Sequence, residues 1–188
     1  PTCLIISEYL EGSSNNKAVE LYNCGSSDLI LDGIIICLIS NTSTTCSARE
    51  SLTGTLPAGD VLGLCNGQLD MSLVDAGDCD VTSAVTNFNG NDRLLIYEDL
   101  DGDMDPDPSE LLDAFGETST EPASDWEDVG YRRCDLTPYD GMASFMPSDY
   151  FEVASVDDFS DFGDAPTQTS CTMTPGNTAP VADAGADI

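Results

Sequence analysis

Turn-forming residues interrupt this chain every ~8–12 residues, and the runs between them are short and rich in β-branched and aromatic residues. CLIISEYL and KAVELYN are joined by the turn-like EGSSNN, and GIIICLIS fills a third run with branched side chains. An Asn-Gly turn precedes RLLIYED. Amphipathic helical periodicity is not sustained anywhere, although SELLDAF suits either one helical turn or a strand. This rhythm predicts an all-β sandwich or barrel.

The chain carries eight cysteines and no histidine. No two cysteines have the Cys-x-x-Cys spacing of a zinc site, and an even, scattered set favours disulfides. Disulfides persist in oxidising compartments, so we expect an extracellular or cell-surface protein. The pairing stays open, although Cys37 and Cys46 flank a turn-like run and suit a bridge across a hairpin end. The disulfide candidates are Cys3, Cys24, Cys37, Cys46, Cys65, Cys79, Cys134 and Cys171.

The chain is strongly acidic, with 35 Asp and Glu against 5 Lys and Arg and a net charge of −30. Such a charge repels nucleic-acid phosphates and anionic membranes and attracts cations. It also suits a saline habitat, in which counterions screen the self-repulsion. The longest apolar run, GIIICLI, is too short to cross a bilayer, so we expect a soluble protein without membrane insertion or direct nucleic-acid binding. Residues 91–164 hold 22 of the carboxylates, and there cations should matter most.

Residues 98–110 read EDLDGDMDPDPSE. The acidic residues from Asp99 onward occupy positions 1, 3, 5, 7, 9 and 12 of a twelve-residue calcium loop, in which alternate carboxylates converge on one hard cation. Met104 stands at position 6, where such loops have Gly, and a strand-like run precedes the loop in place of a helix. The alternative is a solvated acidic turn. We predict a calcium site whose ligands are Asp99, Asp101, Asp103, Asp105, Asp107 and Glu110.

Further polar residues surround the first turn and the Asn-Gly turn, namely Glu8, Glu11, Glu20, Asn89 and Asp92. They suit either a second cation site or turn caps made by side-chain to backbone hydrogen bonds, and we favour turn caps. Another acidic cluster follows near the end of the β-rich region and is expected to be an exposed, solvated loop. Its members are Asp157, Asp158, Asp161 and Asp164.

Catalysis is not expected from this sequence. Without histidine the chain has no Ser-His-Asp or Cys-His arrangement, and paired cysteines cannot act as nucleophiles. Carboxylate pairs of the glycosidase kind arise by chance in so acidic a chain, and phosphoryl-transfer motifs are absent. Trp126 is expected to be a packing anchor, and Arg132 and Arg133 are expected to be ion partners for nearby acids.

Several segments, taken in order, resemble the bacterial extracellular type of lamin tail domain. ISEYLEGSSNNKAVELYN resembles its opening, LPAGDVLGL a strand lead-in, and FNGNDRLLIYED its Phe-Asn-Gly segment. LLDAFGE followed by EPASDWED resembles its Asp- and Trp-containing stretch, YRRC the strand after it, and FEVASVDDFSDFG its close. The resemblance covers residues 4–164. This chain departs from the family pattern in the Cys-rich insertions at 37–79 and in the long acidic loop.

The resemblance implies an immunoglobulin-like β-sandwich over residues 1–164. In secreted bacterial proteins such modules accompany nucleases, phosphoesterases or adhesive repeats and are not themselves known catalysts. Residues 165–188 are rich in Thr, Ala, Pro and Gly and are predicted to be an extended linker or tail, tied to the domain by Cys171. The segment NTAPVADAGADI resembles the first strand of a polycystic-kidney-disease-type repeat, which implies a longer, multidomain surface protein.

The sequence therefore predicts a non-catalytic extracellular structural or adhesion module that calcium and disulfides stabilise. The tail suits strand addition to a neighbouring subunit, so we expect self-association or contact with neighbouring extracellular domains in a surface or filament-forming assembly. Two alternatives remain open. One is an accessory domain of a secreted enzyme such as a nuclease, and the other is a calcium-dependent adhesin for glycans or proteins.

Overall fold

The computed structural model describes residues 2–117, 126–139, 141 and 145–167, and their regular structure is nearly all β. The strands are β1 (Leu4–Glu11), β2 (Lys17–Asn23), β3 (Leu29–Ile30), β4 (Ile34–Ile39), β5 (Ala48–Ser51), β6 (Thr55–Leu56), β7 (Val61–Cys65), β8 (Val81–Thr82), β9 (Arg93–Glu98), β10 (Leu111–Phe115), β11 (Gly130–Arg133) and β12 (Phe151–Ala154). Helical structure in this part of the chain is limited to a 3-10 turn, Ala84–Thr86, and a short helix, α1 (Pro147–Tyr150). The predicted all-β class is confirmed.

The larger sheet has six strands in the order β12-β11-β1-β2-β7-β8. Its strands pair antiparallel, except that β7 and β8 run parallel. The predicted turn after β1 closes the hairpin β1–β2, and Glu8 faces Glu20 across that hairpin. A β-bulge between Ile6 and Glu8 shifts the register of β1.

The second sheet has four antiparallel strands in the order β10-β9-β4-β5. The Ile-rich run forms β4, an interior strand that is buried along its whole length. The run SELLDAF, which suited helix or strand, contains β10, which pairs with β9. β3 and β6 form a separate, two-stranded antiparallel ladder.

The main hydrophobic core contains residues of both sheets, as a β-sandwich requires. Tyr9 of β1 stacks between Phe88 and Phe115, with ring centroids 4.3 and 4.1 Å away. Trp126 packs edge-on against Phe115, and its indole Nε1 donates a 3.2 Å hydrogen bond to the carbonyl of Asp92. The expectation that Trp126 is a packing anchor is confirmed.

A smaller core, which includes Phe159 and Phe162, covers the opposite face of the larger sheet. Gly63 in β7 permits this arrangement, because a Cβ atom there would lie only 1.9 Å from the carbonyl of Asp78 and 3.0 Å from the Phe162 ring. Gly63 is the cross-strand partner of Glu20. The absence of a side chain at Gly63 therefore lets the segment 158–164 lie directly over the strand that carries Glu20.

Disulfides connect Cys3 to Cys24, Cys37 to Cys46, and Cys65 to Cys79. The second of these is the bridge predicted across a hairpin end. Cys134 is also disulfide-bonded, and no cysteine in the described part of the chain is free. Bonded cysteines throughout a β-rich domain point to an oxidising, extracellular environment.

The predicted C-terminal tail and Cys171 fall largely outside the described residues, which end at position 167. The domain boundary after residue 164, the tail strand and the tie through Cys171 therefore stay predictions. Among the described residues, no helix has the length and apolar character that crossing a membrane demands.

Candidate cation sites

The acidic loop, residues 99–110, connects the paired strands β9 and β10. Both of its ends are fixed by backbone hydrogen bonds: Glu98 N donates to Glu110 O over 3.0 Å, and Asp99 N donates to Gly33 O over 2.9 Å. The loop is thus a long hairpin connection on the four-stranded sheet, as the strand-like run before it predicts.

Three of the six predicted calcium ligands lie together in this loop. One carboxylate oxygen each of Asp99, Asp101 and Asp103 lies within 4.8 Å of the others. Asp101 and Asp103 are exposed and Asp99 is half-buried. Alternate carboxylates that converge in this way form the usual binding surface for a hard, oxygen-seeking cation such as Ca²⁺.

Backbone amides hold this group of carboxylates in place. Asp99 Oδ1 accepts hydrogen bonds from Gly102 N at 3.0 Å and from Met104 N at 3.3 Å. Asp101 Oδ1 accepts from Asp103 N at 3.1 Å, and Asp103 Oδ1 accepts from Asp105 N at 2.8 Å. The loop therefore winds around its own first carboxylate and directs alternate side chains to one side.

Met104 takes the left-handed backbone conformation that position 6 of a calcium loop requires. Its φ is 64°, and Gly102 has a φ of 82°. Left-handed φ is unfavourable for a residue with a side chain, so the surroundings must hold it. The Tyr97 hydroxyl does so by donating a 2.6 Å hydrogen bond to the Met104 carbonyl. The missing glycine thus does not prevent the sharp turn.

The other three predicted ligands lie outside this group. Asp105 forms an ion pair with Arg49 of β5. Glu110 is buried, and its two carboxylate oxygens accept from Leu100 N at 2.9 Å and from Asp107 N at 3.4 Å. In this structure Glu110 closes the loop from within, so binding of a cation through both of its oxygens requires these hydrogen bonds to be exchanged.

A second acidic region lies on the larger sheet, where Glu8 and Glu20 form a buried pair. They are directly opposed on β1 and β2, and they are 3% and 0% exposed. Ser7 Oγ donates to Glu20 Oε1 at 2.6 Å, and Gly163 N donates to Glu20 Oε2 at 2.7 Å. Like charges opposed across a strand pair are destabilising, and burial increases the cost.

Arg132 of β11 partly compensates this charge. Its Nε donates to Glu8 Oε1 at 3.2 Å, and its guanidinium also pairs with Asp158 at 3.0 Å and Asp161 at 3.4 Å. Burial, followed by the facing Glu20 carboxylate, nevertheless raises the pKa of Glu8 to about 8. Burial also raises the pKa of Glu20 to about 7.

The buried pair lines a cavity of about 260 Å³ between the sheet and the segment 158–167. The residues around it are Ser7, Glu8, Glu20, Arg132, Arg133, Glu152, Val153, Asp161, Asp164, Ala165, Pro166 and Thr167. Arg133 is committed elsewhere, since its guanidinium pairs with Asp113 at 2.9 Å and both side chains are fully buried. Arg132 and Arg133 are therefore ion partners for acids, as predicted.

The turn-cap expectation holds for part of the first acidic set. The Asp92 carboxylate accepts from Asn41 N at 2.7 Å and from Asn89 N at 2.8 Å, which is a turn cap. Glu11 instead forms a 3.1 Å ion pair with Lys17. The expectation fails for Glu8 and Glu20, because both lie within strands and face the cavity.

The late acidic cluster is more ordered than a solvated loop. Asp157 caps the β1–β2 turn by accepting from Ser13 N at 2.8 Å and from the Asn16 side chain at 3.1 Å. Burial opposes the effect, but the hydrogen bonds from Ser13 and Asn16 lower the pKa of Asp157. Asp158 and Asp161 pair with Arg132, so the predicted exposure of this cluster is only partly correct.

Comparisons with known proteins assign no family to this chain. No family model matches the chain, and no curated protein matches it. A solved structure of a DUF4876 family protein from Bacteroides thetaiotaomicron is similar at 13% sequence identity and a TM-score of 0.49, over 97% of this chain and 75% of that chain. The lamin-tail resemblance remains a resemblance of sequence motifs.

Proposed function

We propose that this chain is a non-catalytic extracellular module whose β-sandwich is stabilised by calcium and by disulfides. The observation that carries the proposal is the convergence of the Asp99, Asp101 and Asp103 carboxylates within 4.8 Å in a loop between two paired strands. Three carboxylates at this spacing repel one another, and a divalent cation converts that repulsion into attraction. Calcium binding would thus fix the loop on the four-stranded sheet.

The compartment supports this role. Calcium sites in extracellular modules bind with dissociation constants of about 10⁻⁴–10⁻³ M, which suits an exposed loop that offers few rigid ligands. The bonded cysteines point to the same oxidising environment. Disulfides and the calcium loop would stabilise different parts of the sandwich, since no described disulfide lies within residues 99–110.

A structural role is favoured over an enzymatic one by composition. The whole chain has no histidine, and the cysteines of the described part are bonded. A two-sheet sandwich is also the architecture that the lamin-tail resemblance implies. Lamin-tail modules accompany other domains in secreted bacterial proteins, and this supports the same role here.

We also propose that the module joins a surface or filament-forming assembly through its C-terminal tail. Support for this part comes from the run PVADAGADI, residues 180–188, which alternates suitably for strand addition. Deletion of residues 177–188 should reduce the size of the assemblies that the purified protein forms, measured by light scattering after chromatography. Assemblies of unchanged size would rule out the tail contact.

A calcium titration tests the loop directly. With magnesium present throughout, the wild type should bind one calcium ion, and the triple variant Asp99→Asn, Asp101→Asn, Asp103→Asn should bind calcium at least tenfold more weakly. A matched control removes three exposed charges elsewhere through Asp32→Asn, Asp60→Asn and Asp128→Asn and should bind as the wild type does. Equal calcium binding by the wild type and the loop variant would refute the proposed site.

A further inference from the structure

The buried pair, Glu8 and Glu20, has an unused ligand atom. Glu8 is 3% exposed, and its Oε2 is buried without a hydrogen-bond partner among the described residues. A polar atom that is removed from water without a partner is costly, so such atoms are rare in native proteins. Glu8 also lines the cavity of about 260 Å³. An unpartnered oxygen on a side chain that lines a cavity indicates a ligand that binds there.

The charge around the cavity indicates which kind of ligand this is. Five carboxylates line it against two guanidinium groups. Arg133 is held by Asp113, and Arg132 bonds the other oxygen of Glu8 and pairs with Asp158 and Asp161. The lining therefore has more carboxylates than guanidinium groups, and Glu8 Oε2 has no hydrogen-bond donor among the described residues.

We propose that this cavity is a second cation site, separate from the acidic loop, which takes a hydrated divalent cation of the magnesium type with Glu8 Oε2 and Glu20 as its protein ligands.

The number of ligands and the space favour a hydrated ion. In the described part of the chain, the acidic loop is the one place where three His, Cys, Asp or Glu side chains bring a ligand atom within 4.8 Å of one another, so the cavity offers fewer converging carboxylates than the loop. Magnesium keeps several of its waters and is commonly held by one or two carboxylates. A water molecule takes about 30 Å³ of liquid volume, so the cavity has room for an ion with most of its hydration shell.

The position of the ion would connect two distant parts of the chain. Asp161 and residues 164–167 form one wall of the cavity, and Gly163 N of the same segment already donates to Glu20 at 2.7 Å. A cation that binds the buried pair directly would contact Asp161 and Asp164 through the water molecules of its hydration shell. These contacts would hold the segment against β1 and β2. The site would then fix the part of the chain from which the C-terminal tail departs. This inference does not depend on the calcium loop.

The test begins with the triple loop variant, which leaves the cavity unchanged. Isothermal titration with magnesium should show one ion bound per chain. Addition of Glu8→Gln or Glu20→Gln should weaken that binding at least tenfold, whereas Glu127→Gln, an exposed control that removes the same charge, should not change it. Absence of magnesium binding to the loop variant, or binding that both glutamine variants leave unchanged, would overturn the site.

Crystals of the wild type grown with manganese give a second readout that needs no substitution. Manganese shares the oxygen preference of magnesium, and its anomalous scattering locates it. An anomalous peak within ligand distance of Glu8 is expected. A cavity without a peak, in crystals in which the ion occupies the acidic loop, would show that the buried pair is held by a proton alone and would overturn the inference while leaving the calcium loop intact.

Discussion

The acidic loop and the buried pair use the same kind of side chain under opposite physical conditions. In residues 99–110 the carboxylates are mostly exposed to solvent, and backbone amides donate hydrogen bonds to them. Glu8 and Glu20 lie within two strands, almost without solvent, and face each other directly. The exposed carboxylates of the loop repel one another weakly, whereas the burial of Glu8 and Glu20 costs much more free energy per group.

The difference shows that the density of acidic residues in a sequence does not measure their energetic importance. Exposed charges are screened by water and salt, so each contributes little to the free energy of unfolding. A buried carboxylate contributes much more, with a sign that depends on whether its partners satisfy it. We therefore expect larger effects on the free energy of unfolding from changes at buried carboxylates than from changes at exposed ones.

Asp113 should show the largest effect, because it is a buried carboxylate whose partners are complete. It pairs with Arg133 and accepts from Ile6 N at 2.8 Å and from Tyr139 N at 2.7 Å. Asp113→Asn leaves the Arg133 charge buried without its counter-charge and should lower the free energy of unfolding by roughly 3–5 kcal/mol. Urea unfolding with disulfides intact measures it. Asp32→Asn, an exposed control, should change it by less than about 0.5 kcal/mol. Similar losses of unfolding free energy for both variants would show that buried and exposed carboxylates contribute alike.

The buried pair should make stability depend on pH. The pKa of Glu8 is raised from 4.5 to about 8 in the folded protein, so this group favours folding below pH 4.5 and loses that contribution as the pH rises toward 8. With a chelator present, the Glu8 contribution to the free energy of unfolding should fall by roughly 3 kcal/mol between pH 5 and pH 8. Glu20, whose pKa is raised to about 7, should add to this fall.

Glu8→Gln removes one of the two titrating groups and should reduce this pH dependence, and the double variant Glu8→Gln, Glu20→Gln should flatten it, while Glu127→Gln should leave it as in the wild type. Thermal unfolding at a series of pH values, at constant ionic strength, provides the measurement. A wild-type stability that is constant from pH 5 to pH 8 would show that Glu8 is ionised at no cost and that the two acidic regions do not differ as described.

The ion pair between Arg49 and Asp105 should have the smallest effect. The Asp105 side chain is 62% exposed, so Arg49→Gln should lower the free energy of unfolding by at most about 1 kcal/mol at low salt and by less at high salt. A loss above about 2 kcal/mol would mean that the loop depends on single contacts in the way that buried groups do.

The fold and the acidic loop were accessible to sequence reasoning because both depend on local patterns. Turn spacing and branched residues predict the strands, and the alternation of Asp99, Asp101 and Asp103 predicts their convergence, which backbone hydrogen bonds of the same loop produce. The separation of Asp105 and Glu110 from this group was not predictable. It depends on Arg49 from another strand and on the closing of the loop around Glu110.

The cavity was out of reach of the sequence for a related reason. The facing of Glu8 and Glu20 follows from the register of β1 and β2, which a β-bulge shifts. The cavity is covered by the segment 158–167, which lies far along the chain from Glu8 and Glu20. This segment can approach the sheet because Gly63 has no side chain. One signal was present: a Glu within each of two apolar strand runs is unusual, because isolated buried carboxylates are costly.

The most direct test of the calcium-stabilised module is thermal unfolding of the wild type in constant magnesium, with either calcium or a calcium-selective chelator. Calcium at about 100 times its dissociation constant should add about 2.7 kcal/mol, which for a domain of this size raises the unfolding temperature by roughly 5–11 °C. The triple loop variant should unfold at one temperature in both solutions. A wild type that unfolds at the same temperature with and without calcium would contradict the proposal and reduce residues 99–110 to a solvated acidic turn.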